Sequence, residues 1–172
     1  LAAVVSLLTL GLPPDRPSVH RPDRMALLTL AKNPRLLFFF GVQALHWAGV
    51  MYFNVYLSIH TRSLEMGIAV PSFAIFVSIA AEIAAFWVAR PFITGHRARW
   101  ALVVVMGTSA ARWLVMSMTE DAWLIIAIQV IHFFSFGVWY AACVVRLSDF
   151  GPPAQRGALQ GLFAAMVFGV GG

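Results

Sequence analysis

Four side chains able to bind an anion or pass a proton stand in otherwise apolar sequence. They are Glu82 in SIAAEIAAF, Arg112 in SAARWLVMS, and Gln129 and His132 in QVIHFFSFG. Together they supply a carboxylate, a guanidinium, an amide and an imidazole. In hydrocarbon a charged side chain costs about 2.5–3.5 kcal/mol on insertion scales, so such residues face a bundle interior and pair. Helical spacing adds company to each. Gln129, His132, Phe136 and Tyr140 make one stripe, Ser78, Glu82 and Phe86 a second, and Thr108, Arg112 and Met116 a third. Stripes that mix hydrogen-bonding groups with aromatics suit a cavity for a small amphipathic solute. Plainer readings stand beside this one. Glu82 and Arg112 can also be read as a structural ion pair that fixes helix packing, and His132 as an imidazole bonded to nearby backbone. His46 and Trp47 in ALHWAG read as helix packing, with Asn54 on the same span a similar case.

The elements that must hold these residues follow from composition. The 172 residues are 60% hydrophobic and only 11% charged, with a mean hydropathy of +0.82. Soluble domains carry about 25% charged residues, so the surplus of apolar side chains is intended for lipid. A helix crossing about 30 Å of hydrocarbon needs about 20 residues. Four windows satisfy this, at Leu36 to Ile59, Ile68 to Ala89, Trp100 to Met118 and Ala122 to Val145. Two partial spans flank them, residues 1–10 and 157–172. The sequence therefore predicts an all-α, polytopic transmembrane helix bundle with four full spans and two partial ones. Both chain ends fall inside apolar segments and read as cut through spans. The connection between the first two segments begins Pro-rich, and its MALLTLAKN portion is a short amphipathic candidate. The six Trp residues are expected mainly as anchors at the membrane interfaces.

Charge in the connections predicts orientation. Arg16, Arg21, Arg24, Lys32 and Arg35 precede the first full span; Arg90, Arg97 and Arg99 follow the second; Arg146 and Arg156 follow the fourth. By parity these loops share a side, and they hold all but Arg62 and Arg112 of the 12 basic residues. The positive-inside rule places that side in the cytoplasm. At a rise of about 1.5 Å per residue, Glu82 then lies a few Å to the cytoplasmic side of the midplane. Arg112 and His132 lie roughly 3–6 Å to the other side. All three occupy one central slab, where they are expected to neutralise one another.

Other chemistry finds little support. The net charge of +5 comes from short gaps between apolar runs, not from a basic face for nucleic acid. Cys143 is the single cysteine and lies in an apolar run, which leaves neither a disulfide framework nor a zinc pattern. No HExxH motif or nucleophile beside a base is present, and Glu82 with His132 is too few ligands for a metal. Neither an enzyme nor a cofactor is expected.

The segments AEIAAF, ARWLVMS, QVIHFFSFG and PPAQRGALQGL, in this order, resemble the carboxy-terminal half of phenylpropionate-permease-type transporters. Those belong to the lactose-permease-like branch of the major facilitator superfamily. The resemblance covers residues 31–172. It implies a major-facilitator-type six-helix half, in which residues 1–10 end the sixth span and 11–35 form the central cytoplasmic loop. Residues 36–172 would be the carboxy-terminal half, truncated in its fifth span, with the amino-terminal six-helix half missing. It also implies a multi-pass protein of a bacterial inner membrane whose partners are a small-molecule solute, protons and the bilayer. Glu82 would take the role of the substrate- and proton-linked carboxylate of lactose permease, and Arg112 and His132 would join its coupling network. One departure stands out: the second carboxylate, one turn after that histidine in lactose permease, is Ser135 here. Proton coupling would then rest on Glu82, with His132, or on the missing half.

The implied function is secondary active transport of an aromatic acid, sugar or nucleoside, proton-coupled, by alternating access. The rival is a structural or partner-dependent membrane subunit without transport of its own. That rival predicts that Glu82 and Arg112 pair directly and that no cavity reaches them.

Overall fold

The computed structural model describes residue 30, residues 32–89, residue 91 and residues 93–172. The segment over residues 1–10 and most of the 11–35 connection lie outside the described residues. Among the described residues four helices are long and apolar enough to cross a membrane: Pro34–Ser63, Ala69–Val88, Arg97–Met118 and Ala122–Leu147. The first three are α1, α2 and α3. The fourth span divides into α4 (Ala122–Ala127), a 3-10 turn (Ile128–Ile131), a π segment (Phe133–Val138) and α5 (Trp139–Leu147). A final helix, α6, runs over Arg156–Gly171. The chain is an all-α polytopic transmembrane bundle. Helices satisfy their own backbone polar groups, which is why this architecture is open to a chain in lipid.

The ends of α1 show how local sequence sets its length. Pro34 occupies the first helical position, and the Asn33 side chain accepts the backbone N–H of Arg35 at 3.0 Å and of Leu36 at 3.4 Å. The helix outlasts the predicted window at Ile59 by one turn because its polar residues find partners. Thr61 donates its hydroxyl to Leu57 C=O at 2.9 Å, and His60 Nε2 donates to Thr119 C=O at 2.9 Å. The latter bond joins the end of α1 to the end of α3, so both emerge on one side. Met66 N–H bonds Thr61 C=O and Glu65 N–H bonds Arg62 C=O, each at 3.0 Å. This is a Schellman stop, with Glu65 at φ 53° where glycine is the usual occupant.

Helix packing inverts the soluble pattern. On α2 the buried face carries the small residues Ala74, Ser78 and Ala85, while Phe76, Ile79, Ile83 and Trp87 are exposed to the lipid region. Small residues let backbones approach closely. One such close approach is at Gly137 in the π segment, where any Cβ would collide with the Ala85 methyl and lie 3.3 Å from Glu82 C=O. On the other side of the bundle, α6 packs along α1, with Phe163 against Phe40 at 6.0 Å between ring centroids.

Two sequence expectations change here. The fourth span is not one regular helix. Side chains serve its carbonyls from within and from outside: Gln129 Nε2 donates to Ile125 C=O at 2.8 Å, and His46 Nε2 to Ser135 C=O at 2.8 Å. Such added donors let the winding tighten and then widen without stranding polar backbone in lipid. The tight and wide turns offset each other, so the predicted stripe survives. The rings of His132 and Phe136 lie 6.1 Å apart at 19°, and those of Phe136 and Tyr140 lie 6.2 Å apart at 7°. The tryptophans also divide. Trp87, Trp100 and Trp123 are exposed near span ends, but Trp139 is wholly buried. Its indole N–H donates to Gln43 Oε1 at 2.7 Å, and Trp47 stacks on it at 5.7 Å. A buried partner for the indole N–H removes the reason for it to seek the interface.

Candidate functional site

Glu82 comes from the middle of α2, Arg112 from the second half of α3, and Gln129 and His132 from the 3-10 turn region of the fourth span. The small-residue contact of Ala85 with Gly137 sets the spacing between α2 and the fourth span, and so brings Glu82 toward His132. All four sequence-predicted residues fall into one connected group.

Arg112 is its centre and is 2% exposed. One terminal nitrogen donates to Gln129 Oε1 and the other to His132 Nδ1 at 3.1 Å. The guanidinium carbon sits over the Phe53 ring, 3.6 Å from its centroid, a cation–π arrangement. Among the described residues its Nε has no hydrogen-bond partner. Gln129 Oε1 also accepts from Ser78 Oγ at 3.2 Å, while its amide nitrogen is held by Ile125 C=O. Gln129 is therefore fixed with its oxygen toward the arginine.

A guanidinium only donates, so the Nδ1 facing it must be the unprotonated acceptor. His132 is then neutral, with its proton on Nε2, and that nitrogen lies 3.8 Å from Glu82 Oε2. The imidazole thus stands between the carboxylate and the guanidinium. The direct pairing of Glu82 with Arg112 that the structural-subunit rival predicts does not occur: among the described residues Arg112 has no carboxylate partner, and Glu82 reaches it only across His132. Geometry is the reason. With Gly137 tight against Ala85, the imidazole fills the space through which a carboxylate would have to extend. Glu82 itself is only part-buried, and Phe86, one turn further on its stripe, is exposed.

A cavity of about 140 Å³ adjoins this group, bounded by Arg112, His46, Phe53, Ser109, Trp113 and Ser135. A water needs at least about 10–15 Å³ on this scale, so several waters or one small polar group fit. The arrangement can hold a proton on Glu82 or pass one through the imidazole, and it presents a cation beside a partly polar chamber. His46, Ser109, Ser135 and Phe53 are members that the sequence reading did not assign to a site. Ser109 Oγ donates to Ser135 Oγ at 3.0 Å, closing one wall of the chamber. A signal for them was present: Ser109 stands one turn before Arg112, and Ser135 one turn after His132. Gln43, His46, Val50, Phe53 and Leu57 form the buried stripe of α1.

A family model for the MFS_1 like family matches residues 5–172. The chain belongs to the MFS_1 like family. It is accordingly a membrane transporter of the major facilitator type, an integral multi-pass protein whose environment is the bilayer and whose cargo is a small-molecule solute. No solved structure matches it.

Proposed function

We propose that this chain contributes the carboxy-terminal half of a proton-coupled secondary transporter of the phenylpropionate- and lactose-permease-like branch. It carries a small organic solute, an aromatic acid, a sugar or a nucleoside, across a bacterial inner membrane by alternating access. The amino-terminal six-helix half completes the path, residues 11–35 lie between the halves, and the basic loops are cytoplasmic.

The observation that carries this reading is the relay itself. A neutral imidazole links a membrane-depth carboxylate to a buried arginine whose other side borders a cavity. A purely structural pair would bring the opposite charges into contact, because leaving either charge uncompensated in the interior is expensive. Here Glu82 is held short of a hydrogen bond, and a modest movement of α2 against the fourth span would make or break its contact with His132. Protonation of Glu82 and the opening of the bundle are coupled by that step. Gln129, itself bonded by Ser78, holds the arginine in place beside the cavity that takes the solute. The aromatic column from His132 through Phe136 to Tyr140 offers ring faces to an apolar part of the cargo.

The test is uptake by the full-length transporter in energised vesicles. Glu82→Gln should abolish accumulation driven by a pH gradient while sparing solute exchange between the two sides. Unchanged pH-dependent accumulation would refute the coupling role.

A further inference from the structure

We infer that a groove between α3 and the π segment is a binding site for an anionic phospholipid, with one acyl chain in the groove and the phosphate at Arg97 and Arg99. The groove has a volume of about 350 Å³ and is bounded by Arg97, Trp100, Ala101, Val104, Phe134 and Val138. Its walls below Arg97 are apolar. Val104 lies seven residues deeper than Arg97, so the walls descend about 10 Å along α3, the reach of the upper part of an acyl chain.

Its mouth is cationic and lies at the height of lipid headgroups. Trp100 is 59% exposed, and Arg99 stacks over its ring at 5.5 Å. An amphipathic indole at the end of a span marks the interface. Arg97 donates to Pro91 C=O at 3.2 Å, which keeps the arginine over the groove, and among the described residues most of its N–H donors have no other partner. The stretch RPFITGHRAR holds no acidic residue, and among the described residues neither Arg97 nor Arg99 has a carboxylate partner. Charge complementarity therefore calls for an external anion. The apolar groove directly beneath calls for that anion to carry a hydrocarbon chain. Basic pockets between spans on the cytoplasmic side are where anionic headgroups bind.

The two arginines predict the size of the preference. Each basic residue at a membrane surface contributes about 1 kcal/mol toward an anionic lipid, about fivefold in affinity, so the pair is worth roughly twenty-fivefold. The experiment uses the full chain in non-ionic detergent micelles, titrated with phosphatidylglycerol or phosphatidylcholine whose acyl chains carry bromine. Trp100 is read as the fluorescence difference from a Trp100→Phe variant. Brominated phosphatidylglycerol should quench Trp100 at a mole fraction roughly twenty-five times lower than in the Arg97→Gln/Arg99→Gln variant, and phosphatidylcholine should not distinguish the two proteins. Val104→Phe fills the groove with both arginines intact and should also remove the preference. Equal quenching by both lipids, or a preference that survives either variant, would overturn the site. Relief of quenching by water-soluble glycerol phosphate as effective as by unlabelled phosphatidylglycerol would assign the arginines to a soluble anion instead. Absence of quenching by either lipid would show that protein covers the groove.

Discussion

Exchanging one methyl group between two helices tests whether the α2 contact with the fourth span sets the geometry of the site. A Cβ at position 137 would meet the Ala85 Cβ far inside the ordinary carbon–carbon separation of about 3.5–4.0 Å. Helix backbones cannot yield as a flexible side chain can, so in Gly137→Ala the two elements must part by roughly an ångström or more. Overpacking of this kind costs about 1–3 kcal/mol. Alanine also returns about 1 kcal/mol over glycine inside a helix. The net loss is then about 0–2 kcal/mol. Ala85→Gly alone loses about the same 1 kcal/mol of helix preference. Combined, the two propensity terms cancel and the clash disappears, leaving only the tight 3.3 Å approach to Glu82 C=O. The double variant should therefore be more stable than the sum of the single changes by about 1–3 kcal/mol, a coupling proper to residues in contact. Unfolding in mixed micelles by added denaturing detergent, followed by far-ultraviolet circular dichroism, measures all four corners of the cycle. Additive single changes would refute the contact, and with it the account of why Glu82 stops 3.8 Å from His132.

Three further changes test separate parts of the structure by the same unfolding measurement. Glu65→Gly should stabilise the chain by about 1 kcal/mol, since a side chain at left-handed φ costs roughly 1–2 kcal/mol; a loss of stability would refute the Schellman stop. Asp121→Ala removes the side chain that accepts Leu124 N–H at 2.7 Å, and should cost about 0.5–2 kcal/mol, with Asp121→Asn retaining most of it. Gln129→Leu strips the acceptor from both Arg112 and Ser78. It should cost about 1.5–3 kcal/mol because a charged donor is involved, well above the average of about 0.6 for polar contacts between spans. A cost at or below that average would mean that another group takes over the arginine.

The sequence by itself determined the helices and the inventory of the site. Apolar runs near 20 residues leave a backbone in lipid no economical choice but to satisfy itself as a helix, so the four spans were legible within a turn or so. Glu82, Arg112, Gln129 and His132 stood out because a polar side chain at that depth is expensive and must have a reason. Their order along the group was decided by tertiary structure. Depth estimates place residues along the membrane normal and are silent on lateral distance. That distance depends on how near two helices can come, which here is set by one glycine against one alanine methyl. The irregular winding of the fourth span was hidden for a similar reason: its carbonyls are served by His46 and Gln129, and only the fold brings His46 to Ser135 across 89 positions of sequence. Trp139 makes the same point. Composition marks tryptophan for the interface, and the nearby amide of Gln43 draws this one into the core.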